Sequence, residues 1–249
     1  MNIQDSVVLI TGANRGIGKA YAEAFLKAGA RKIYLGVRNT DSVADFVKEA
    51  PDTLIPLKFD VTNQADIDNA AKEAADTQIL INNAGILLFD DFNSDDLLDN
   101  ARKQMDVNYF APLAITQKFA PILKTNGGGV MVTVSSIVGH VSMPGINSYC
   151  ASKYAVQSMI LNARAQLKTQ GTKVIGVYPG PIETDMAADL EMDKFPPSQV
   201  AAKTLKAIEN GEEDVFTDAF SQQTYAAFRA DPKAVEAQMA EMVAQDEAA

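Results

Sequence analysis

VVLITGANRGIG, residues 7–18, passes from a block of β-branched and aliphatic side chains straight into a turn with glycine at 12, 16 and 18. A continuous apolar run of this kind suits a strand covered on both faces, as in a parallel sheet. From Gly16 to Ala28, residues Ala20, Tyr21, Ala24, Phe25 and Ala28 fall on one stripe, the spacing of a helix face. Strand, glycine turn and helix together open a βαβ unit. The glycines let the backbone turn and approach a bound group, and the helix N-terminus favours an anion such as a pyrophosphate. The spacing is not G-x-G-x-x-G, yet the parts stand where that fingerprint stands, between a strand's end and a helix's start.

The alternation continues outward. KIYLGV (32–37), LIPLKF (54–59), QILINN (78–83), VMVTVSS (130–136) and KVIGVYP (173–179) read as further strands, with EEDVFTD (212–218) as a last one. Helix-length segments between them include 99–123 and one from near Tyr149 to near Gly171. Strands alternating with helices predict an α/β fold: one doubly wound parallel β-sheet, Rossmann-type, with helices on both faces. No repeat, low-complexity block or linker divides the chain, so one domain over 1–249 is expected.

Composition narrows the function classes. The 249 residues are 47% hydrophobic and 22% charged, enough for a substantial core. A net charge of −10 opposes binding to nucleic acid or an anionic membrane, which calls for a basic surface. The one cysteine, Cys150, has no partner for an internal disulfide. The start shows no basic segment followed by an apolar core, and no apolar run approaches membrane-spanning length. A soluble cytoplasmic protein is expected, and no cluster of residues has metal-ligand spacing.

The end of the second strand bears on the cofactor. A carboxylate about twenty residues past the glycines would accept the ribose 2′-hydroxyl of NAD and repel a 2′-phosphate. Here Val37 is followed by Arg38, and no acid stands at the strand end. Arg38 offers paired donors to a 2′-phosphate, and Arg15 in the glycine turn is close enough to assist, which predicts NADP(H).

NSYCASKYAV (147–156) sets Tyr149 and Lys153 four apart, on one face of a helix. An ammonium there would lower the phenol's pKa and let it exchange protons near neutrality. Taken together, TGANRGIG (11–18), NNAG (82–85), Asn108 in MDVNYF, Ser136 in VSSIVG, YCASK (149–153) and PGPIET (179–184) resemble the short-chain dehydrogenase/reductase family. The resemblance runs from about Val7 to about Thr184. Six motifs in order are far more specific than any one of them.

The resemblance implies a role for each matched residue. Tyr149 would be the acid–base group and Lys153 would hold the nicotinamide ribose and stabilise the phenolate. Ser136 would hydrogen-bond the substrate oxygen. Ser135 is turned to the other face by strand alternation. Asn108 would hold a local helix distortion and a water leading from Lys153 to solvent. Gly12, Asn14, Arg15, Gly16, Ile17 and Gly18 would cradle the cofactor phosphates. Asp60 and Val61 would meet the adenine; Asn83, Ala84 and Gly85 would pass along the adenine-side ribose. Pro179, Gly180, Ile182 and Thr184 would contact the nicotinamide end.

The single histidine, His140, lacks the partners of a Ser–His hydrolase and reads as structural or pocket-edge. Pocket walls are expected from Ile86 to Leu88, from Val141 to Ile146, and from a substrate lid at 183–200 carrying Met186, Leu190, Met192 and Phe195. These stretches are mainly apolar, so the expected substrate is a neutral ketone, aldehyde or secondary alcohol of small to medium size. A 3-oxoacyl-carrier-protein reductase is the alternative. It would need a basic docking patch, for which only Arg102 and Lys103 offer themselves. A catalytically silent NADP-binding regulator is a further alternative, disfavoured by the intact Asn108, Ser136, Tyr149 and Lys153. A homodimer or homotetramer through the helices at 99–123 and 149–170 is expected, with a helical tail at 230–249 whose stripe is Val235, Met239 and Met242.

Overall fold

The computed structural model describes residues 1–188 and 190–246, with side chains to residue 241. In chain order its elements begin β1 (Val7–Thr11), α1 (Gly16–Lys27), β2 (Lys32–Val37), α2 (Ala44–Val47), β3 (Leu54–Lys58), α3 (Gln64–Glu73) and β4 (Ile79–Asn82). They continue with α4 (Leu97–Met105), α5 (Ala111–Thr125), β5 (Val130–Val134), α6 (Asn147–Leu167), β6 (Lys173–Val177) and α7 (Pro197–Asn210). The last are β7 (Asp214–Val215), α8 (Ala219–Ala230) and α9 (Pro232–Asp246).

All seven strands join one parallel sheet in the order β3-β2-β1-β4-β5-β6-β7. Burial explains the unbroken apolar runs. Val8 and Ile10 pack toward Tyr21 and Phe25 of α1 and Val200 of α7, while Val7 and Leu9 pack toward Ile115 and Phe119 of α5 and Ile160 of α6. With helices on both faces, the two-residue alternation of a strand selects between two cores rather than between core and water. Pro56 sits in β3, the edge strand, where its missing N–H matters least.

The order of strands reverses between β1 and β4, which opens a crevice beyond their carboxyl ends. Thr11 closes its floor. Its buried Oγ1 accepts from the N–H groups of both Asn83 and Ala84 at 3.0 Å, tying the ends of β1 and β4 together.

Two expected segments differ in detail. The helix expected over 99–123 is interrupted by a π-turn at Asp106–Phe110 between α4 and α5. Of the expected lid at 183–200, the last residues are the first turn of α7, and Val200 is fully buried against the core. Phe195 pins the preceding loop: Glu183 N–H donates to its carbonyl at 2.8 Å and its own N–H donates to Pro181 O at 2.9 Å. Asp189 and residues 247–249 lie outside the described residues, as does the side chain of Met242. Val235 and Met239 of α9 pack with Phe228, Met143 and Tyr149 of the same chain. Among the described residues no helix is long and apolar enough to cross a membrane.

Candidate active site

A cavity of about 370 Å³ fills the crevice, running from the glycine turn to Phe220 of α8. Every residue expected at the cofactor lines it: the turn from Gly12 through Asn14, Arg15, Gly16 and Ile17 to Gly18, then Arg38, Asp60, Val61 and Asn83 to Gly85, and Pro179, Gly180, Ile182 and Thr184.

At its three glycines the turn has little or no room for a side chain. Gly12 and Gly16 have φ of 69° and 53°, left-handed values that favour glycine. A Cβ on Gly18 would lie 2.1 Å from the Gly12 carbonyl oxygen, so α1 packs its first turn directly on the turn backbone. The start of α1 carries no acidic residue and no side-chain cap, so its N–H groups point at the cavity unneutralised. The backbone cradle, the uncapped helix start and the cations Arg15 and Arg38 fit a phosphate-bearing dinucleotide. Arg15 is not wholly turned to this task. Its guanidinium donates to Asp185 at 2.7 Å, with both side chains exposed. Arg38 is exposed and has no carboxylate partner among the described residues.

Asn83 lines the cavity while its side-chain amide is engaged in the floor, Nδ2 donating to Thr11 O at 2.9 Å. Asp60 is engaged locally, its Oδ1 accepting from the N–H and hydroxyl of Thr62 at 3.0 and 2.8 Å.

At the other end, Ser136, Tyr149 and Lys153 line the same cavity. Ser136 follows β5 and its Oγ donates to Pro179 O at 3.3 Å. Ser135 turns away and its hydroxyl meets Lys153 O of α6 at 3.5 Å. Lys153 Nζ donates to Val134 O at 3.2 Å and stands 5.5 Å from the centre of the Tyr149 ring. No carboxylate pairs with it among the described residues, and burial pushes its pKa down to about 8.

The lowered phenol pKa expected from this lysine is not what the site produces. Burial raises Tyr149 above the ordinary tyrosine value; the Cys150 thiol adds to the rise and the Ser136 hydroxyl opposes it. The reason is that both members of the pair are desolvated, so each charged form is disfavoured before they interact.

Asn108 is the one expected site residue outside the cavity lining. It sits in the π-turn, accepts from Ile86 N–H at 2.9 Å, and donates to Ile86 O at 2.9 Å and Ser152 Oγ at 3.0 Å. Its side chain thus clamps the strand exit after NNAG to α6.

A family model described as short chain dehydrogenase matches residues 6–194. The chain belongs to the short-chain dehydrogenase/reductase family. This short-chain dehydrogenase/reductase is 34% identical over 200 residues to the rat "Dehydrogenase/reductase SDR family member 7B", covering 75% of its own length and 61% of the rat protein's. It is 31% identical over 193 residues to an "NADP-dependent 3-hydroxy acid dehydrogenase" of Schizosaccharomyces pombe, covering 74% of each chain. A solved short-chain dehydrogenase from Burkholderia cenocepacia J2315, in complex with NADP, superposes with a TM-score of 0.91 at 37% identity, covering 96% of this chain and 99% of that one.

Three residues that shape the site of this short-chain dehydrogenase/reductase carry no role that the sequence alone assigns: Thr11, Phe220 and Asp218. Thr11 stood in plain view as the last residue of the first strand. Phe220 reaches the cavity from α8, whose cap Asp218 also accepts from Gly180 N–H at 2.8 Å. His140 lies outside the cavity, packed against Tyr178 and Tyr225 with ring centres 4.7 and 4.8 Å away.

Proposed function

We propose that this oxidoreductase interconverts a carbonyl and a secondary alcohol on a small to medium, mainly apolar substrate, with NADP(H) as cofactor. The observation that carries the reading is the convergence of Tyr149, Ser136 and an unpaired, buried Lys153 at one end of a cavity whose other end is a phosphate cradle. Bound there, NADP(H) supplies or accepts the hydride at the substrate carbon.

Gly12 to Gly18 and the start of α1 would hold the phosphates, Arg38 and Arg15 the 2′-phosphate, and Lys153 the nicotinamide ribose. Ser136 donates a hydrogen bond to the substrate oxygen and holds it beside Tyr149. Tyr149, kept as the phenol by burial, donates its proton to that oxygen as negative charge develops there.

The substrate end is walled by Leu87, Val138, Met143, Ile146, Met186 and Phe220. The cavity's cations, Arg15, Arg38 and Lys153, stand at the glycine turn, the end of β2 and the Tyr149 phenol, so none is left to grip a substrate carboxylate. This supports a neutral substrate over a hydroxy acid. The loop from Glu183 to Pro196 would act as a lid over it, with Met186 exposed at its start. Exposed Leu98, Phe110, Leu113, Tyr154 and Leu161 on α4, the π-turn, α5 and α6 support a homo-oligomer formed through those helices.

The test is a screen of neutral ketones and secondary alcohols with both nicotinamide cofactors, followed by Tyr149→Phe on the best substrate. The variant should bind NADPH as the wild type does and turn over at least about a hundredfold more slowly. Near-wild-type turnover sinks the assignment.

A further inference from the structure

We propose that Asp90 is a positioning residue of the reaction, supplying from a distant loop the N-terminal cap that α6 lacks and so fixing where Tyr149 and Lys153 stand. The inference rests on the acid–base reading of Tyr149.

The helix that carries both groups begins poorly by its own means. Gly145 before it has φ of 81°, Ile146 at its cap position has no side chain that can accept, and its first turn holds no acid. The first N–H groups of a helix have no partners within it. Here the donors are buried, where an unpartnered N–H costs about 1–3 kcal/mol.

Asp90 meets them. Its Oδ1 accepts from Ser148 N–H at 2.9 Å, its Oδ2 accepts from the Ser148 hydroxyl, and its carbonyl accepts from Asn147 N–H at 3.3 Å. Its own N–H donates to Gly145 O at 3.0 Å, completing a bridge between the loop and the helix start. Asp90 is 3% exposed and Ser148 6%, although 58 residues separate them. No basic side chain pairs with Asp90 among the described residues, so the positive end of the α6 dipole faces its carboxylate unscreened.

Gln104 of α4, fully buried, joins the same node. Its Oε1 accepts from Leu88 N–H at 2.9 Å, and its Nε2 reaches Leu88 O at 3.3 Å and Asp90 at 3.4 Å. Leu87 on the cavity wall and Tyr149, the residue after Ser148, are thereby fixed relative to one another. Misplacing reacting groups by about 1 Å can cost a hundredfold in rate.

The experiment compares Asp90→Ala, Asp90→Asn, Asp90→Ser and Ser148→Ala with the wild type and Tyr149→Phe. It measures kcat and KM for NADPH-dependent reduction of a neutral ketone, NADPH Kd by fluorescence, and hydrogen exchange of the α6 amides. Asp90→Ala should lower kcat about tenfold or more, leave NADPH Kd within about twofold, and speed exchange at the start of α6 alone. Asp90→Asn keeps an oxygen for Ser148 N–H and should restore most of kcat. An unchanged kcat in folded Asp90→Ala overturns the proposal. So does a fall in kcat matched by an equal loss of NADPH affinity and not rescued by Asp90→Asn. If Asp90→Ala does not fold, Asp90→Ser decides, its one short hydroxyl being unable to meet both Ser148 groups: a fall in kcat of about twofold to fivefold at constant NADPH Kd supports the role and no change refutes it, while Ser148→Ala, which keeps the bond to the Ser148 N–H, should fall less. Tyr149→Phe separates the two readings. If it keeps turnover, the acid–base assignment fails; if it is inactive while Asp90→Ala is unimpaired, only the role of Asp90 fails.

Discussion

On the β1–β2 side of the cleft the wall is built around backbone, the left-handed glycines of the first turn, the bare start of α1 and the chain leaving β4, with Arg15 and Arg38 at its edge. On the β5–β6 side the wall is side chain, brought together from Leu87, Met143, Met186 and Phe220 on separate segments. A backbone wall recognises what every nucleotide has in common, phosphate and ribose. A side-chain wall recognises shape, and any of its pieces can change without disturbing the sheet. On the proposed function, the common reagent would meet the backbone wall and the particular substrate the side-chain one.

Three substitutions sharpen this contrast, in falling order of expected effect. The largest sits where the two walls meet. Lys153→Met should reduce turnover by about a hundredfold or more, since it removes the cation beside the phenol and, on the proposed function, the contact to the nicotinamide ribose. It should also stabilise the fold. Lys153 holds its proton less tightly when folded, at about 8 against the 10.5 of an ordinary lysine, so between those values the unfolded chain carries more protons and stability rises with pH. Below the lower value the buried ammonium burdens the fold in full, on the order of 3 kcal/mol. Thermal melts of variant and wild type should differ most at neutral pH and converge as pH climbs past the ordinary lysine range. A variant less stable than wild type at neutral pH would show that the Val134 bond outweighs desolvation.

The second tests the cofactor end alone. Arg38→Ala should weaken NADPH by about ten- to a hundredfold, the worth of its charge-assisted bonds to a 2′-phosphate, and leave NADH little changed. Equal loss of both cofactors at fixed ionic strength would refute the phosphate role.

The smallest crosses from one wall to the other. Arg15 is held by Asp185 of the lid-side loop in an exposed pair, of a kind worth at most about 1 kcal/mol. Asp185→Asn should free Arg15 and tighten NADPH by up to about fivefold at low salt, with the gain fading as ionic strength rises. Unchanged affinity at low salt would mean that Arg15 takes no part.

The same contrast governs what the sequence discloses. Glycines at 12, 16 and 18 stand at fixed offsets from a strand whose burial is visible in its composition, so the turn and its lining could be placed from residue types alone. Tyr149 and Lys153 stand one helical turn apart, but that spacing also fits an ordinary amphipathic helix, and the pair took on meaning only through the resemblance carried by the six motifs together. Asp90 was not legible. It is one of five aspartates in the stretch from Phe89 to Asp99, and only the return of the chain at Gly145 distinguishes it from its neighbours. Phe220 was hidden because its place depends on how α8 folds back after β7. The phenol's pKa was misjudged because spacing reveals the neighbouring charge but not the burial that weakens it.

The placement of α9 also sets an order in time. The strands and turn of the cofactor wall are synthesised by Gly85, whereas Phe220, which lines the other end of the cavity, and Val235, which packs behind Met143 and Tyr149, come more than a hundred residues later. At typical elongation rates that interval is on the order of ten seconds. During it a nascent chain already contains every residue of its dinucleotide cradle up to Gly85 while the apolar pocket beside it still lacks its last wall.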